Sequence, residues 1–264
     1  FQPRVPGGQM GHGAMGNARW TGVRVKDVLS RARLEANARQ VTFDGVDRPV
    51  LDATPDFVKA LDVEQAMDGE VMIAHTMNGE DLPVLNGYPL RLVVPGHFGT
   101  YWIKHLNKIK VLDHAFNGFW MNPAYRIPAT EGGAIPPGSA PKATIPITRF
   151  NVRSFITSVA EGGTLPARRE TTIRGIAFDG GHGITEVLFS ADGGRTWRET
   201  RLGRDYGRYS FREWTVPLTP PQAGQLELKC RATNRLGQSQ PHEPLWNPAG
   251  YMRNVVETVR VNAT

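Results

Sequence analysis

Residues 184–197, ITEVLFSADGGRTW, decide the structural class of the second half of the chain. Val187 and Phe189 alternate with polar neighbours, which is the pattern of a strand with one buried face. The ADGGR that follows supplies the glycines of a tight hairpin turn, and it leads directly into Thr196 and Trp197. The stretch therefore predicts a β-hairpin with one apolar side.

Other short strands follow at intervals set by turn residues. They are predicted at residues 171–178, 211–216, 226–233 and 255–261. Strands of this length, separated by turn signals, are typical of an immunoglobulin-like β-sandwich. We therefore expect residues 147–264 to form such a sandwich.

The first half differs because strands there are mixed with helical patterns. Strands are predicted at residues 41–43, 71–74, 90–94 and 109–112. Helical segments are predicted from Thr21, where apolar residues recur at helical spacing, from Thr54, and over residues 102–109.

A Pro/Gly-rich connector, ATEGGAIPPGSAPKATIP at residues 129–146, separates the two halves. The fold class is therefore predicted as α+β over residues 1–128, followed by the connector and the all-β part.

A glycine-rich stretch at residues 7–20, GGQMGHGAMGNARW, contains the pattern G-x-G-x-x-G at Gly11–Gly16. A dinucleotide loop must leave a buried strand and open a helix. Pro3 and Pro6 break any preceding strand, and no helix follows directly, so the pattern does not favour such a site. Two interpretations stay open, a solvated loop or a backbone that approaches a buried ligand closely.

The composition narrows the classes of function. The formal net charge is +6, but the basic residues are scattered, so no nucleic-acid-binding arm is indicated. A basic balance does suit an anionic substrate or cofactor. There is no C-x-x-C or H-E-x-x-H metal motif, no apolar run long enough to span a membrane and no visible signal peptide.

The single cysteine, Cys230, alternates with Leu226 and Leu228 and is expected to be an inert core thiol. One cysteine permits no internal disulfide. The chain begins at Phe1 without methionine, so we expect a further segment upstream.

Five stretches, in this order, resemble the sulfite oxidase family of molybdenum enzymes: GAMGNARWTGVRVKDVL (13–29), MNGEDLPVLNGYPLRLVVPG (77–96), GTYWIKHLNKIKV (99–111), ITEVLFSADGGRTW (184–197) and LWNPAGYMRNVVETVRV (245–261). The details TYWIKHL and FWMNPAYRIP look most like the family's bacterial sulfite dehydrogenases. The resemblance implies a molybdopterin-binding domain, of which residues 1–128 are the C-terminal part, and an immunoglobulin-like dimerisation domain.

By this resemblance, contacts to the molybdenum-molybdopterin cofactor fall on six residues: Asp47, Asn86, Arg91, Trp102, Ile103 and Lys104. Arg91 and Lys104 are cations suited to the cofactor phosphate, and Asp47 is an acceptor suited to pterin N–H groups. Asn86 stands where many relatives have histidine, but its amide still donates. Each residue taken singly also suits an ordinary surface or core role, so the spaced set carries the prediction.

Tyr125, in NPAYRIP, matches the tyrosine that lies beside the metal and the substrate in the family, and its alternative role is to fill a gap as a loop aromatic. Two features depart from the family. The metal-ligating cysteine is expected upstream of Phe1, since Cys230 belongs to the sandwich. Ala249 stands where animal relatives have a substrate arginine, and Arg253 is the candidate to supply that charge.

The resemblance implies molybdenum-dependent oxidation of sulfite to sulfate. Electrons would pass to an external acceptor such as a c-type cytochrome, because the chain has no C-x-x-C-H haem motif. It also implies a homodimer in the periplasm, with no nucleic acid and no membrane span. The alternatives are a related enzyme acting on another oxyanion, as nitrate reductases do, and a cofactor-free β-sandwich assembly module.

Overall fold

The computed structural model describes residues 3–6 and 11–264, and their backbone divides into two units. The first unit contains residues 11–129 and 141–148. The second contains residues 3–6, 130–140 and 149–264. The Pro/Gly-rich connector is therefore divided between the units. Residues 130–140 belong to the second unit, and residues 129 and 141–146 belong to the first.

The second unit is built of nine strands. They are β10 (Arg153–Ile156), β11 (Thr164–Leu165), β12 (Thr171–Phe178), β13 (Ile184–Ser190), β14 (Arg198–Glu199), β15 (Arg201–Leu202), β16 (Arg212–Leu218), β17 (Gly224–Asn234) and β18 (Thr258–Ala263). One sheet has the order β10-β12-β16-β15 and the other β11-β18-β17-β13-β14. A short 3₁₀ turn, Glu131–Gly133, also belongs to this unit.

Alternation buries one face of each sheet in a common core. Trp214 of β16 and Phe189 of β13 are fully buried, and their ring centroids lie 6.3 Å apart. The Trp214 indole N–H donates to Ser154 Oγ at 2.9 Å, so its one polar group is satisfied. Burying a side chain of this size contributes about 1.5–3 kcal/mol to stability. The predicted β-sandwich is confirmed.

Gln240 connects the two sheets through their main chains. It is fully buried, and its Oε1 accepts from Ser154 N of β10 at 2.9 Å and from Ala232 N of β17 at 3.0 Å. Its Nε2 donates to Asn254 O at 3.0 Å. A buried amide satisfied on both sides stabilises the join rather than weakening the core.

The first unit has nine strands and two short α-helices among its described residues. In chain order they are β1 (Trp20–Arg24), α1 (Val25–Ala32), β2 (Gln40–Gly45), β3 (Lys59–Asp62), α2 (Val63–Ala66), β4 (Met72–Met77), β5 (Glu80–Asp81), β6 (Arg91–Val93), β7 (Leu106–Leu112), β8 (Arg126–Pro128) and β9 (Thr144–Pro146). Two 3₁₀ turns, Val84–Asn86 and Gly99–Tyr101, flank β6. The α+β class is confirmed, with sheet predominating.

Antiparallel pairing organises this unit into two small sheets and a ribbon. Strand β4 pairs with β1, β5 and β6, while β2 pairs with β3 and β7. Strands β8 and β9 form the ribbon. Both sheets are apolar on their inner sides, where Val41, Phe43, Ala74 and Leu92 are fully buried.

Two helical predictions in this half were wrong and the start of a third helix was misplaced, because strand pairing overrides local pattern. Residues 20–24 form β1 against β4, so the helix begins at Val25 rather than Thr21. No helix opens at Thr54. Residues 59–62 instead pair with β2 as β3, and the short helix follows them.

The third error concerns residues 102–109, where a helical turn was expected. The turn precedes them at Gly99–Tyr101, and β7 already begins at Leu106. The strands predicted at residues 41–43, 71–74, 90–94 and 109–112 correspond to β2, β4, β6 and β7.

Gly22 provides a direct test of the pairing between β1 and β4. A Cβ added there would lie 2.0 Å from Ile73 O and 2.6 Å from Ala74 Cα, both rigid main-chain atoms. We expect Gly22→Ala to lower the free energy of unfolding by about 2–4 kcal/mol in chemical denaturation. Gly99→Ala is the control, since no heavy atom lies within 4 Å of its added Cβ. Equal stability of the two variants would contradict the pairing.

Candidate functional site

Arg91 is a buried cation of the first unit. It opens β6 beside Ala74 of β4 and is only 7% exposed. Its guanidinium carbon lies 4.9 Å from the ring of Trp20 and 5.6 Å from the ring of Trp102. Burial lowers the pKa of Arg91, but a guanidinium stays charged at neutral pH. The fold therefore holds a permanent positive charge between two indoles.

The guanidinium is incompletely paired. Nη1 donates to Asn86 O at 2.9 Å and Nη2 donates to Trp102 O at 3.4 Å. The buried Nε has no acceptor among the described residues. A buried donor left without a partner costs about 1–3 kcal/mol, so this position suits an acceptor that the chain itself does not supply.

The turn before β6 is held by basic side chains. The carbonyls of Val84–Asn86 bond in order to His105 Nε2 at 2.9 Å, Lys104 Nζ at 2.6 Å and Arg91 Nη1 at 2.9 Å. Because a carbonyl only accepts, His105 carries its proton on Nε2 in this arrangement. The cationic side chains of Lys104 and Arg91 thereby bind neighbouring carbonyls of one short turn.

Two glycines allow close packing around this turn. Gly87 has φ +111°, and a Cβ there would lie 3.1 Å from both Arg91 Cβ and Lys104 Cα. At Gly45 an added Cβ would lie 2.4 Å from Asp47 Oδ1 and 2.6 Å from Lys104 O. Asp47 and the Lys104 backbone therefore flank Gly45, and the turn packs on the same segment through Gly87.

The segment before β7 completes the arrangement. Ile103 is buried, and its carbonyl accepts from Leu92 N of β6 at 2.7 Å, which fixes the residues on either side of it. The structure thus brings together in one part of the first unit all six residues that the sequence singled out: Asp47, Asn86, Arg91, Trp102, Ile103 and Lys104.

Tyr125 lies in a second cluster, made of aromatic rings. Its centroid is 6.0 Å from that of Trp120 and 6.3 Å from that of Phe57. Its backbone has φ +54°, which is uncommon for a bulky residue, and its carbonyl accepts from Ile147 N at 2.9 Å. The Tyr125 ring is therefore held from several sides.

Consecutive residues join the two clusters. Trp102 contacts Arg91, while the preceding Tyr101 faces Lys59, whose Nζ lies 4.6 Å from the Tyr101 centroid and 5.0 Å from that of Tyr125. The last residue of the Gly99–Tyr101 turn and the residue after it thus place one aromatic side chain in each cluster.

Two family models match the chain and together cover most of it. The oxidoreductase molybdopterin binding domain matches residues 1–120, and the Mo-co oxidoreductase dimerisation domain matches residues 144–264. Mitochondrial sulfite oxidase of Homo sapiens is 33% identical over 264 residues, which cover 94% of this chain and 47% of that protein. The chain belongs to the sulfite oxidase family.

Other relatives agree with this placement. Sulfite oxidase of Gallus gallus is 31% identical over 91% of this chain and 54% of its own length. Nitrate reductase [NAD(P)H] of Hordeum vulgare is 29% identical over 96% of this chain and 30% of its own length.

Among solved structures, the sulfane dehydrogenase SoxCD from Paracoccus pantotrophus matches with a TM-score of 0.78 and 25% identity, over 94% of this chain and 62% of that one. The chain spans about half the length of the sulfite oxidases it matches.

The family's cofactor is molybdenum bound to molybdopterin, a pterin that carries a phosphate. The residues of the first unit fit such a group on physical grounds. Arg91 Nε is buried without an acceptor, Lys104 adds a second cation beside it, and Gly45 and Gly87 hold the backbone close. These features favour binding of an anionic group here and argue against a cofactor-free assembly module.

The structure shows the surroundings of Cys230 and Arg253, the two residues considered where the sequence departs from the family. Burial raises the pKa of the Cys230 thiol to about 12, so Cys230 stays protonated in the sandwich core and does not suit a metal. Arg253 Nη1 contacts Glu257 Oε1, which also accepts from Arg153 Nη2 at 2.8 Å. Arg253 therefore shares one carboxylate with Arg153, and its role as the substrate cation in place of Ala249 stays a prediction.

Sequence reasoning missed two residues of these clusters. Trp20 stands at the end of the glycine-rich stretch, where a large aromatic residue was itself the signal of a packing role. Lys59 interrupts the apolar run around Ala60 and Leu61, and that interruption was the signal for it.

The described glycines of this stretch take no part in the packing, whereas Trp20 at its end packs against Arg91. Residues 7–10 lie outside the described part of the chain, and Gly11, Gly13 and Gly16 are exposed, with no heavy atom within 4 Å of an added Cβ. No protein packing requires these glycines, which agrees with a solvated loop.

Two classes of site find no support in residues 3–6 and 11–264. No cluster of three or more His, Cys, Asp or Glu side chains there is arranged to hold a metal ion. None of the helices in these ranges is long and apolar enough to cross a membrane.

Proposed function

We propose that this protein catalyses molybdenum-dependent oxidation of sulfite to sulfate and passes the electrons to an external acceptor such as a c-type cytochrome. The observation that carries the proposal is the cluster of Arg91, Lys104 and Asp47 around one turn, in a chain 33% identical to a sulfite oxidase over 94% of its length. By the resemblance to bacterial members, we place the protein in the periplasm.

The side chains divide the work of holding the cofactor. Arg91 presents its unpaired Nε to an anionic oxygen in a region shielded from water, and Lys104, whose Nζ donates to Leu85 O, adds a second positive charge. Asp47 accepts from pterin N–H groups, while Asn86 and the Trp102–Ile103 backbone line the same segment. When bound, the molybdenum centre supplies the two-electron redox chemistry that amino-acid side chains lack.

Tyr125 is the residue we assign to substrate orientation. A phenol whose ring is packed on Trp120 and Phe57 presents its hydroxyl with little freedom to move. A fixed donor directed at a sulfite oxygen favours the reactive geometry and excludes others.

Nitrate reduction is the alternative activity, because a nitrate reductase is 29% identical over 96% of this chain. An assay of both reactions on one preparation distinguishes them. We expect sulfite to reduce an added cytochrome c or ferricyanide, and nitrate to leave a reduced viologen dye unoxidised. Nitrate-dependent oxidation without sulfite turnover would reverse the assignment.

Arg91 is expected to determine cofactor content. Arg91→Met removes the buried cation, and an unpaired buried phosphate costs several kcal/mol. We therefore expect the purified variant to lose most of its molybdenum and pterin, measured by elemental analysis and by pterin fluorescence, while circular dichroism stays unchanged. Arg231→Met is the control, since Arg231 also donates to a main-chain carbonyl, Gln240 O at 3.0 Å, but lies in the second unit. Full molybdenum occupancy in Arg91→Met would refute the role.

Tyr125→Phe should separate catalysis from stability. In molybdenum-loaded enzyme we expect kcat/KM for sulfite to fall by at least about tenfold, which is about 1.4 kcal/mol of transition-state stabilisation. The free energy of unfolding should change by less than about 1 kcal/mol. Tyr206→Phe, at an exposed tyrosine of the second unit, should change neither quantity. Normal sulfite kinetics with a lowered melting temperature would make Tyr125 a structural residue instead.

The second unit is expected to form a homodimer. Residues 144–264 match a dimerisation domain, and the sandwich has the size of an independent module. Light scattering on the purified protein at micromolar concentration should give twice the monomer mass. A monomeric mass under these conditions would contradict the dimer without affecting the fold.

A further inference from the structure

Lys59 is a buried lysine on β3, and no carboxylate in the described part of the chain forms an ion pair with it. It is 1% exposed, and its neighbours Ala60 and Leu61 are buried with it. Lysine is almost never fully buried unless it is paired. Burial is the cause that lowers the pKa of Lys59 to about 8, and no charged neighbour offsets it. The position is therefore costly for a purely structural residue, since an apolar side chain would fill it without that cost.

The ammonium is held by a carbonyl and two aromatic faces. Nζ donates to Trp120 O at 2.5 Å and lies 4.6 Å from the Tyr101 centroid and 5.0 Å from the Tyr125 centroid. Cations at these distances are attracted to the ring face, and the attraction strengthens when water is excluded. Lys59 therefore contacts the ring of the tyrosine that we assign to substrate orientation.

The loop that carries Tyr125 is also fixed by hydrogen bonds to its main-chain carbonyls. Ile147 N donates to Tyr125 O at 2.9 Å, and Arg126 Nη1 donates to Met121 O at 3.1 Å. These bonds hold the backbone of Tyr125, and the rings of Trp120 and Phe57 pack against its side chain. The ammonium adds a directed attraction to one face of the same ring.

We propose that Lys59 is a positioning residue for the reaction, whose buried ammonium holds the Tyr125 ring in the orientation in which its hydroxyl meets the substrate. This inference rests on the proposed function. It assigns to Lys59 no contact with sulfite or with the cofactor.

The contact between the Lys59 ammonium and the Tyr125 ring, which we call the clamp, depends on pH because it requires the charge of Lys59. Asp62 and Arg126 are the charged side chains that act on the Tyr101 hydroxyl, and their effects on its pKa are opposite. Burial raises the pKa of Tyr101 to about 12, and His97 packs on its ring at 5.5 Å. Lys59 is thus the group in contact with both rings that changes charge near pH 8. The clamp is present below that pH and is lost above it.

Sulfite turnover measured from pH 6 to pH 10 tests the proposal. We expect wild-type kcat/KM to fall on the alkaline side with an apparent pKa of about 8. Lys59→Met should lower kcat/KM by about tenfold at pH 7 and abolish this fall, while Lys59→Arg should retain activity and move the fall to higher pH. Titration of sulfite itself affects all variants alike. Lys110→Met, at an exposed lysine of β7, should behave as wild type.

A second readout does not depend on activity. In wild-type protein labelled at lysine Cε and at tyrosine rings, nuclear magnetic resonance should show Lys59 titrating near pH 8 and the Tyr125 ring signal shifting with it. Both changes should be absent in Lys59→Met and unaltered in Lys110→Met. If Lys59→Met does not fold, the wild-type titration alone decides.

The two readouts separate two kinds of failure. A Tyr125 ring signal that ignores the titration of Lys59, or a Lys59→Met enzyme with wild-type kcat/KM and an unchanged alkaline fall, would overturn the inference. Coupled titration in a molybdenum-loaded protein that does not oxidise sulfite would instead overturn the proposed function and leave the clamp in place.

Discussion

The buried guanidinium of Arg91 is the constraint on which the candidate site of the first unit depends. Its charge lies between two indoles, and two of its nitrogens are used to hold the carbonyls of Asn86 and Trp102. The third is left without an acceptor among the described residues. A fold that keeps such a charge without a carboxylate partner is incompletely satisfied by itself, and an anionic ligand would complete it.

The segments around Arg91 are arranged so that they hold that charge. The turn before β6 presents consecutive carbonyls to Arg91, Lys104 and His105, and Gly45 and Gly87 allow the segments to approach. Between Arg91 and Lys104 the chain places Tyr101 in the ring cluster around Tyr125 and Trp102 against Arg91, so one short segment serves both clusters. The second unit is built on a different principle, a sandwich core closed by the buried amide of Gln240.

Much of this could be predicted from the sequence. Alternation and turn glycines located the sandwich strands. Residues such as Val187 and Phe189 are buried on one face of their strand, and the local sequence pattern is enough to reveal that face. The helix expected from Thr21 was misplaced, because residues 20–24 pair with β4, a partner far along the chain that local periodicity does not reveal. The six residues predicted to contact the cofactor came from resemblance, and they converge in space. Lys59 and Trp20 were not predicted as members of these clusters, because the side chains that they contact are distant in the sequence and are brought near only by the fold.

The most direct test of this account is the molybdenum and pterin content of the purified protein, measured together on one preparation before and after unfolding. The account predicts stoichiometric molybdenum and pterin that remain bound through gel filtration and are released together when the first unit unfolds. A folded protein that contains neither, and that takes up neither when cofactor is supplied during expression, would contradict it.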